Sequence, residues 1–331
     1  MSCLKGRGMT SIRTKTDAVS LSAQALSIET KLLLFFAIVW ASGLTMGLPV
    51  NIPDVKSYEF IEKHYFRPFF IASVLDVTLL ISSKFVQRPK DTNLLALKLF
   101  PFVICTIFIH FNFKAWMPLI NPHQYDHIYQ QIDIFFEPLL TIFFVVRQSM
   151  SSLVPLNLDF LYHNLFIAMF YGSFTAHVVF DRPTLFRQLV LSTCLILLLG
   201  GLCYWIAPAE GAYLYRIGIN AESTTIQKYM HLNFEFVKKT GIFPPGYFTN
   251  APAAMPSLHI AHALMFTFFI WRSLSLRWLL LLYVPATFWL IIDSVCSGWH
   301  YLIDLPAGAL LCFICVYSSM RLLDRDETVL N

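Results

Sequence analysis

Leu185-Phe186-Arg187-Gln188-Leu189-Val190-Leu191-Ser192-Thr193-Cys194-Leu195-Ile196-Leu197-Leu198-Leu199-Gly200-Gly201-Leu202-Cys203-Tyr204-Trp205-Ile206 carries no charge after Arg187. As a helix it would span roughly 30 Å, the thickness of a bilayer's hydrocarbon core. The stretch reads as a transmembrane helix, and the rest of the chain repeats its character.

Working outward, the same test picks out Leu32 to Val50, Pro68 to Val86, Leu94 to Phe113, Phe160 to Phe180, Pro256 to Trp271, Trp278 to Ile292 and Tyr301 to Met320. The sixth and seventh runs in chain order, from Pro256 and from Trp278, are short. Over the whole 331-residue chain, 56% of residues are hydrophobic and 13% charged, and mean hydropathy is +0.61. The expected fold class is therefore all-α, a polytopic membrane bundle of about eight transmembrane helices.

Basic residues orient the bundle. With the N-terminus inside, the inner segments hold Lys5, Arg7, Arg13, Lys15 and Lys31, then Lys84, Arg88 and Lys90, then Arg182 and Arg187, then Arg272 and Arg277, then Arg321 and Arg325. Outer loops mix their cations with Asp54, Glu59, Asp126, Asp133, Glu137 and Glu222. Both termini are thus expected in the cytoplasm. The net charge of +4 reads as topology, and no nucleic-acid partner is expected. The first run follows a polar segment, so it reads as a retained anchor and not as a cleaved signal.

The seven cysteines mostly fall inside apolar runs. The pair Cys312 and Cys315 has no second pair to complete a metal site, so neither a disulfide framework nor a zinc site is expected. The stretch Lys114 to Asp159, rich in aromatics and acids, suits helices lying in the interface, with a partly buried hairpin possible around Pro138 to Val146; within it Tyr125 to Asp133 reads as an interfacial amphipathic helix or as a headgroup-binding wall beside the active site. Ala207 to Ala254 reads as an irregular outer lid because of its Gly and Pro residues. There is no internal repeat.

Two polar islands interrupt the apolar sequence: Met255-Pro256-Ser257-Leu258-His259 and Gly298-Trp299-His300-Tyr301-Leu302-Ile303-Asp304. An ionisable group beside a hydrocarbon layer is costly unless it pairs or faces water, so these islands are where function is sought. Pro256 suits a first helical position, leaving the backbone N–H groups of Ser257 and Leu258 to bind an anion. His300 and Asp304 are four apart and share a helix face. A carboxylate on one imidazole nitrogen leaves the other as a lone pair, which makes His300 a candidate nucleophile and His259 a candidate acid for the departing oxygen.

Other polar groups have plainer readings. His110, His163, His177 and His262 are expected to pack and hydrogen-bond within helices, and Lys98 to snorkel to headgroups, with Asp76 a possible partner. The set His259, His300 and Asp304 also has a plain alternative, an interhelical hydrogen-bond network.

The order P-S-L-H, then G-W-H-Y-x-x-D, resembles the second and third motifs of the type 2 phosphatidic acid phosphatase superfamily. The Leu258 variant and the segment Tyr204 to Gly211 are similar to its inositol phosphorylceramide synthase branch and bacterial relatives. The resemblance spans about residues 120 to 320. It implies His300 as the phosphohistidine-forming nucleophile, Asp304 as its orienter, His259 as the acid, Ser257 on a phosphate oxygen, and neither metal nor cofactor. Arg216, Lys228, Lys238 and Lys239 are candidates to supply positive charge for the phosphate, with Arg216, Lys238 and Lys239 ranked first.

The implied organisation is a polar cytoplasmic segment 1–31, two accessory transmembrane helices in 32–90, a six-helix catalytic core in 91–320 and a cytoplasmic tail 321–331. The chain departs from the phosphatase pattern at Asp293 to Ser297, which holds no Arg, and it has no K-x6-R-P motif after the fifth span; Arg182-Pro183 falls in an inner loop. Fewer cations lean towards a phosphodiester. The leading expectation is phosphoinositol-type transfer between membrane lipids at the outer leaflet of a bacterial inner membrane, with the site facing the periplasm. A phosphatase acting on lipid phosphates or polyprenyl diphosphates, and a non-catalytic lipid transporter, are the alternatives.

Overall fold

A computed structural model describes residues 27–61, 74, 78, 91–153, 161–216, 218–219 and 221–330. These residues form helices and loops, with no strand among them. The expected span Pro68 to Val86 apart from residues 74 and 78, the basic residues Lys84, Arg88 and Lys90, Asp76 as a partner for Lys98, and most of the polar N-terminal segment lie outside the described residues.

In chain order the helices are α1 (Ile28–Thr45), α2 (Val55–Ile61), α3 (Asp91–Ile120), α4 (Asp126–Phe135), α5 (Glu137–Leu153), α6 (Leu161–Val179), α7 (Pro183–Ile206), α8 (Ala221–Thr240), α9 (Tyr247–Asn250), α10 (Leu258–Arg272), α11 (Leu280–Cys296) and α12 (Asp304–Leu330). By length and composition α1, α3, α7, Leu274–Cys296 and Asp304–Asp324 can each cross a membrane. A sixth crossing is formed if α4 and α5, bent 84° to one another, are taken as one. α10, at 15 residues, is short. α6 is long enough, but His163, Asn164 and His177 make it less apolar. The protein is a polytopic helical membrane bundle.

The run that opened the sequence becomes α7, at the centre of the bundle. It is buried along most of its length and packs against α3, α6, α10 and α12. Two adjacent glycines near its end let neighbours approach closely. A Cβ on Gly200 would meet the Leu258 side chain at 2.4 Å, and one on Gly201 would meet Phe113 at 3.1 Å. Close backbone approach through small residues replaces the hydrophobic effect as the means of joining helices in lipid. Buried ion pairs add to this: Arg187 Nε donates to Glu29 Oε1 at 2.6 Å between α7 and α1, and Arg147 Nε to Asp293 Oδ1 at 2.5 Å between α5 and α11.

Two expectations need correction. The outer segment Ala207 to Ala254 is not irregular throughout, because α8 occupies 20 of its residues. Its glycines and prolines all fall outside α8, so the breakers punctuate the helix and do not prevent it. Likewise Lys114 does not open an interfacial segment: α3 runs on past Phe113 to Ile120, burying Ala115, Trp116 and Met117 completely.

The C-terminal ends of α3, α7 and α11 gather with the N-terminal ends of α6, α10 and α12 at one end of the bundle. Both polar islands lie there.

Candidate active site

Pro256 precedes α10 and is not its first residue. The helix starts at Leu258, and Ser257 is its N-cap, with Oγ accepting the Ile260 N–H at 3.4 Å. The Ser257 N–H donates to the Asp304 carbonyl at 3.2 Å, so the expected anion site loses one of its two donors. This bond instead joins the start of α10 to the start of α12. A Cβ on Gly308 would lie 2.4 Å from the Ser257 carbonyl oxygen, so only glycine allows this approach.

The second island turns out of α11 through Gly298, at φ 76°, a conformation that favours glycine. The turn delivers His300, whose Nδ1 lies 3.1 Å from Asp304 Oδ2. The same carboxylate oxygen accepts the Tyr301 N–H at 2.9 Å. With the carboxylate accepting at Nδ1–H, Nε2 is left as the lone-pair nitrogen. It lies 3.0 Å from Ser257 Oγ, and both residues are almost wholly buried. Ser257 therefore donates its hydroxyl proton to His300 while accepting from Ile260.

His259 completes the cluster. Its ring centre is 6.4 Å from that of His300, at 62°. Phe166 at 4.5 Å and Tyr162 at 5.4 Å flank it, and it makes no hydrogen bond among the described residues. Its ring nitrogens are thus open to a ligand.

Arg216, expected on the phosphate, is held elsewhere. It is ion-paired to the buried Asp133 and donates to the carbonyls of Val295 and His300, both at 3.0 Å. Lys238 and Lys239 lie in the last turn of α8, while the start of that helix meets the site through Trp299 Nε1 donating to Ser223 and Gln227 donating to the Ser297 carbonyl. From Gln227 to Lys238 the helix rises roughly 16 Å. The structure therefore brings together His259, His300, Asp304 and Ser257, sets Arg216 behind His300, and leaves Lys238 and Lys239 remote.

α4, expected as an interfacial helix or a headgroup-binding wall, instead braces the site with two carboxylates whose partners the sequence did not name. Asp133 Oδ1 accepts the Leu302 N–H at 2.8 Å. Asp126 accepts the N–H groups of Glu210 and Gly211, both at 3.0 Å, and the Tyr301 hydroxyl at 2.9 Å. These carboxylates, two turns apart on one face, hold both the lid and the loop carrying His300. His163, read as packing, meets Trp299 at 5.6 Å and His259 at 6.4 Å. His110, His177 and His262 do pack, each with Nδ1 on a backbone carbonyl.

A family model described as the PAP2 superfamily matches residues 132–318, more than half of the chain. The chain belongs to the PAP2 superfamily. No curated protein and no solved structure matches it. PAP2 proteins are phosphatases or phosphotransferases, which makes this chain a membrane enzyme of that class. The PAP2 match takes in both polar islands, Arg216 and Asp133, and leaves α1 to α3 outside it.

Proposed function

We propose that this PAP2 protein transfers a phosphoryl-linked headgroup, of the phosphoinositol kind, from a lipid phosphodiester to a lipid hydroxyl through a phosphohistidine at His300. The reading is carried by one observation: the bonded series Asp304, His300, Ser257, with the open His259 ring 6.4 Å away.

His300 Nε2 attacks phosphorus, forming an N–P bond as the bond to the departing lipid oxygen breaks. His259 gives that oxygen its proton. In the second half the acceptor hydroxyl attacks phosphorus, its proton passes to His259, and the N–P bond breaks. Asp304 holds the ring orientation and stabilises the charge that builds on His300. Side chains handle every proton, so the reading calls for neither metal nor cofactor.

A diester is favoured because the guanidinium groups near the site are already neutralised. Arg147 is bound to Asp293, and Arg216 to Asp133. A monoester brings nearly two charges to be met, a diester one. The site is read as outward-facing, on the periplasmic side of a bacterial inner membrane with both termini cytoplasmic, and the helix directions support that sidedness. They put Lys31, Arg182, Arg187, Arg272, Arg277 and Arg321 at the end of the bundle opposite His300.

The test is purified protein given labelled phosphatidylinositol with ceramide, phosphatidic acid, or a polyprenyl diphosphate in parallel. The expected result is headgroup transfer that requires the acceptor lipid and vanishes in His300→Ala. Full-rate phosphate release without an acceptor would make the enzyme a hydrolase. Unchanged reaction in His300→Ala would remove the mechanism, and lipid flux in that variant would indicate transport.

A further inference from the structure

Lys114 stands on α3, outside the matched PAP2 region. One turn before it, His110 sets Nδ1 2.8 Å from the Leu197 carbonyl of α7 and its ring 6.2 Å from Tyr204. The Phe111 ring lies 4.9 Å from that of Phe248, tilted by 44°, in α9, the short helix leading into the first island. On a helix, residues three and four apart share a face. Lys114 therefore projects between α7 and the chain entering α10, one turn nearer the site than His110. The adjacent Gly200 and Gly201 fix that geometry, one against Leu258 beside His259, the other against Phe113 beside Lys114.

Lys114 lies within electrostatic reach of both His110 and His259. Yet among the described residues Lys114 has no ion pair and no hydrogen bond. Arg147 and Arg216 each hold a carboxylate, whereas this ammonium, on the α3 face that carries His110, has none. An uncompensated charge within a membrane bundle is costly, and a negative partner that arrives with the ligand would offset that cost.

We propose that Lys114 is the cation that receives the substrate phosphate beside His259 and His300, a role that rests on the phosphotransfer reading above. The two histidines, on α10 and the loop before α12, fall within the family match; the positive charge comes from a helix outside it. One ammonium balances one charge, which fits a lipid phosphodiester.

The experiment compares the full-length protein with Lys114→Met, which keeps the stem without the charge, and Lys114→Arg, which restores it. Orthovanadate is the phosphate probe, read by inhibition of turnover and by direct binding; diacylglycerol is the uncharged competitor. Loss of one charge-assisted bond should weaken vanadate binding in Lys114→Met by roughly ten- to a hundredfold, with diacylglycerol inhibition unchanged and Lys114→Arg close to the parent. Parent-like vanadate binding by Lys114→Met would overturn the proposal. So would an equal loss for diacylglycerol, which marks a structural role. If the unaltered protein binds no vanadate and forms no histidine adduct, the phosphotransfer reading itself falls.

Discussion

Ser257 Oγ lies 3.0 Å from His300 Nε2, at the ring nitrogen opposite the one that faces Asp304. The serine hydroxyl thus marks the direction from which phosphorus must approach. Asp304→Ala would remove the acceptor that holds the ring proton on Nδ1 and free the ring to protonate at Nε2, where the attacking lone pair is lost. Adduct formation should fall by roughly 10³–10⁴. Ser257→Ala removes one hydrogen bond and the α10 cap, with a loss of about tenfold. Single-turnover quench measurements check both, and near-parent rates in Asp304→Ala would refute the assigned tautomer.

Arg216 is expected to act on His300 through its backbone. Arg216→Met leaves Asp133 as a buried carboxylate without its partner, which should lower stability by roughly 3–5 kcal/mol. Arg216→Met combined with Asp133→Asn should recover part of that. A phosphate ligand would behave otherwise: the single variant would keep its melting temperature and lose only substrate affinity.

Lys238→Ala and Lys239→Ala should leave kcat/KM within about twofold, since solvent-facing charges that distant from a site are largely screened. A tenfold drop in steady-state assays would mean that the end of α8 reaches the substrate.

Gly308→Ala tests the seam between the two islands. Its new methyl group would meet the Ser257 carbonyl at 2.4 Å, and backbone cannot swing aside as a long side chain can. Overpacking of this kind costs roughly 1–3 kcal/mol. Because the displaced group is the α10 cap, activity should fall further than stability. A variant with parent kcat and parent melting temperature would show that the seam opens freely.

What the sequence disclosed and what it hid follow from the reach of each signal. Apolar runs and basic turns are local, so the ends of α1, α6, α7 and α10 fall within a few residues of their expected places. The pairing of His300 with Asp304 is also local, being one helical turn. Asp126 and Asp133 work by contacts across 85 and 169 positions of chain, to Gly211 and Leu302, and nothing near them announces those partners. Their spacing of two turns on one face of an amphipathic segment was the available clue. Arg216 was drawn to the phosphate by its charge alone, since the competing carboxylate lies far away in sequence. α8 was hidden by its flanks, where glycine and proline dominated the reading of a segment that itself contains neither.

Glu210 gives the lid a dependence on pH. Burial raises its carboxyl from the ordinary 4.5 to about 7, and the hydrogen bond from His231 at 2.9 Å offsets only part of that rise. In the unfolded chain the group ionises near 4.5. Between these values the folded protein holds a proton that the unfolded chain has released, so protonation favours the fold. The contribution is complete below pH 4.5 and is lost as pH rises through 7, on the order of 3 kcal/mol if fully realised. Glu210→Gln keeps a neutral group at every pH and should melt like the parent near pH 4.5 but several degrees higher at pH 8. Comparing the two proteins cancels the titration of all other groups. A melting-temperature difference that stays flat from pH 4.5 to 8 would show that Glu210 ionises in the folded protein as it does in water.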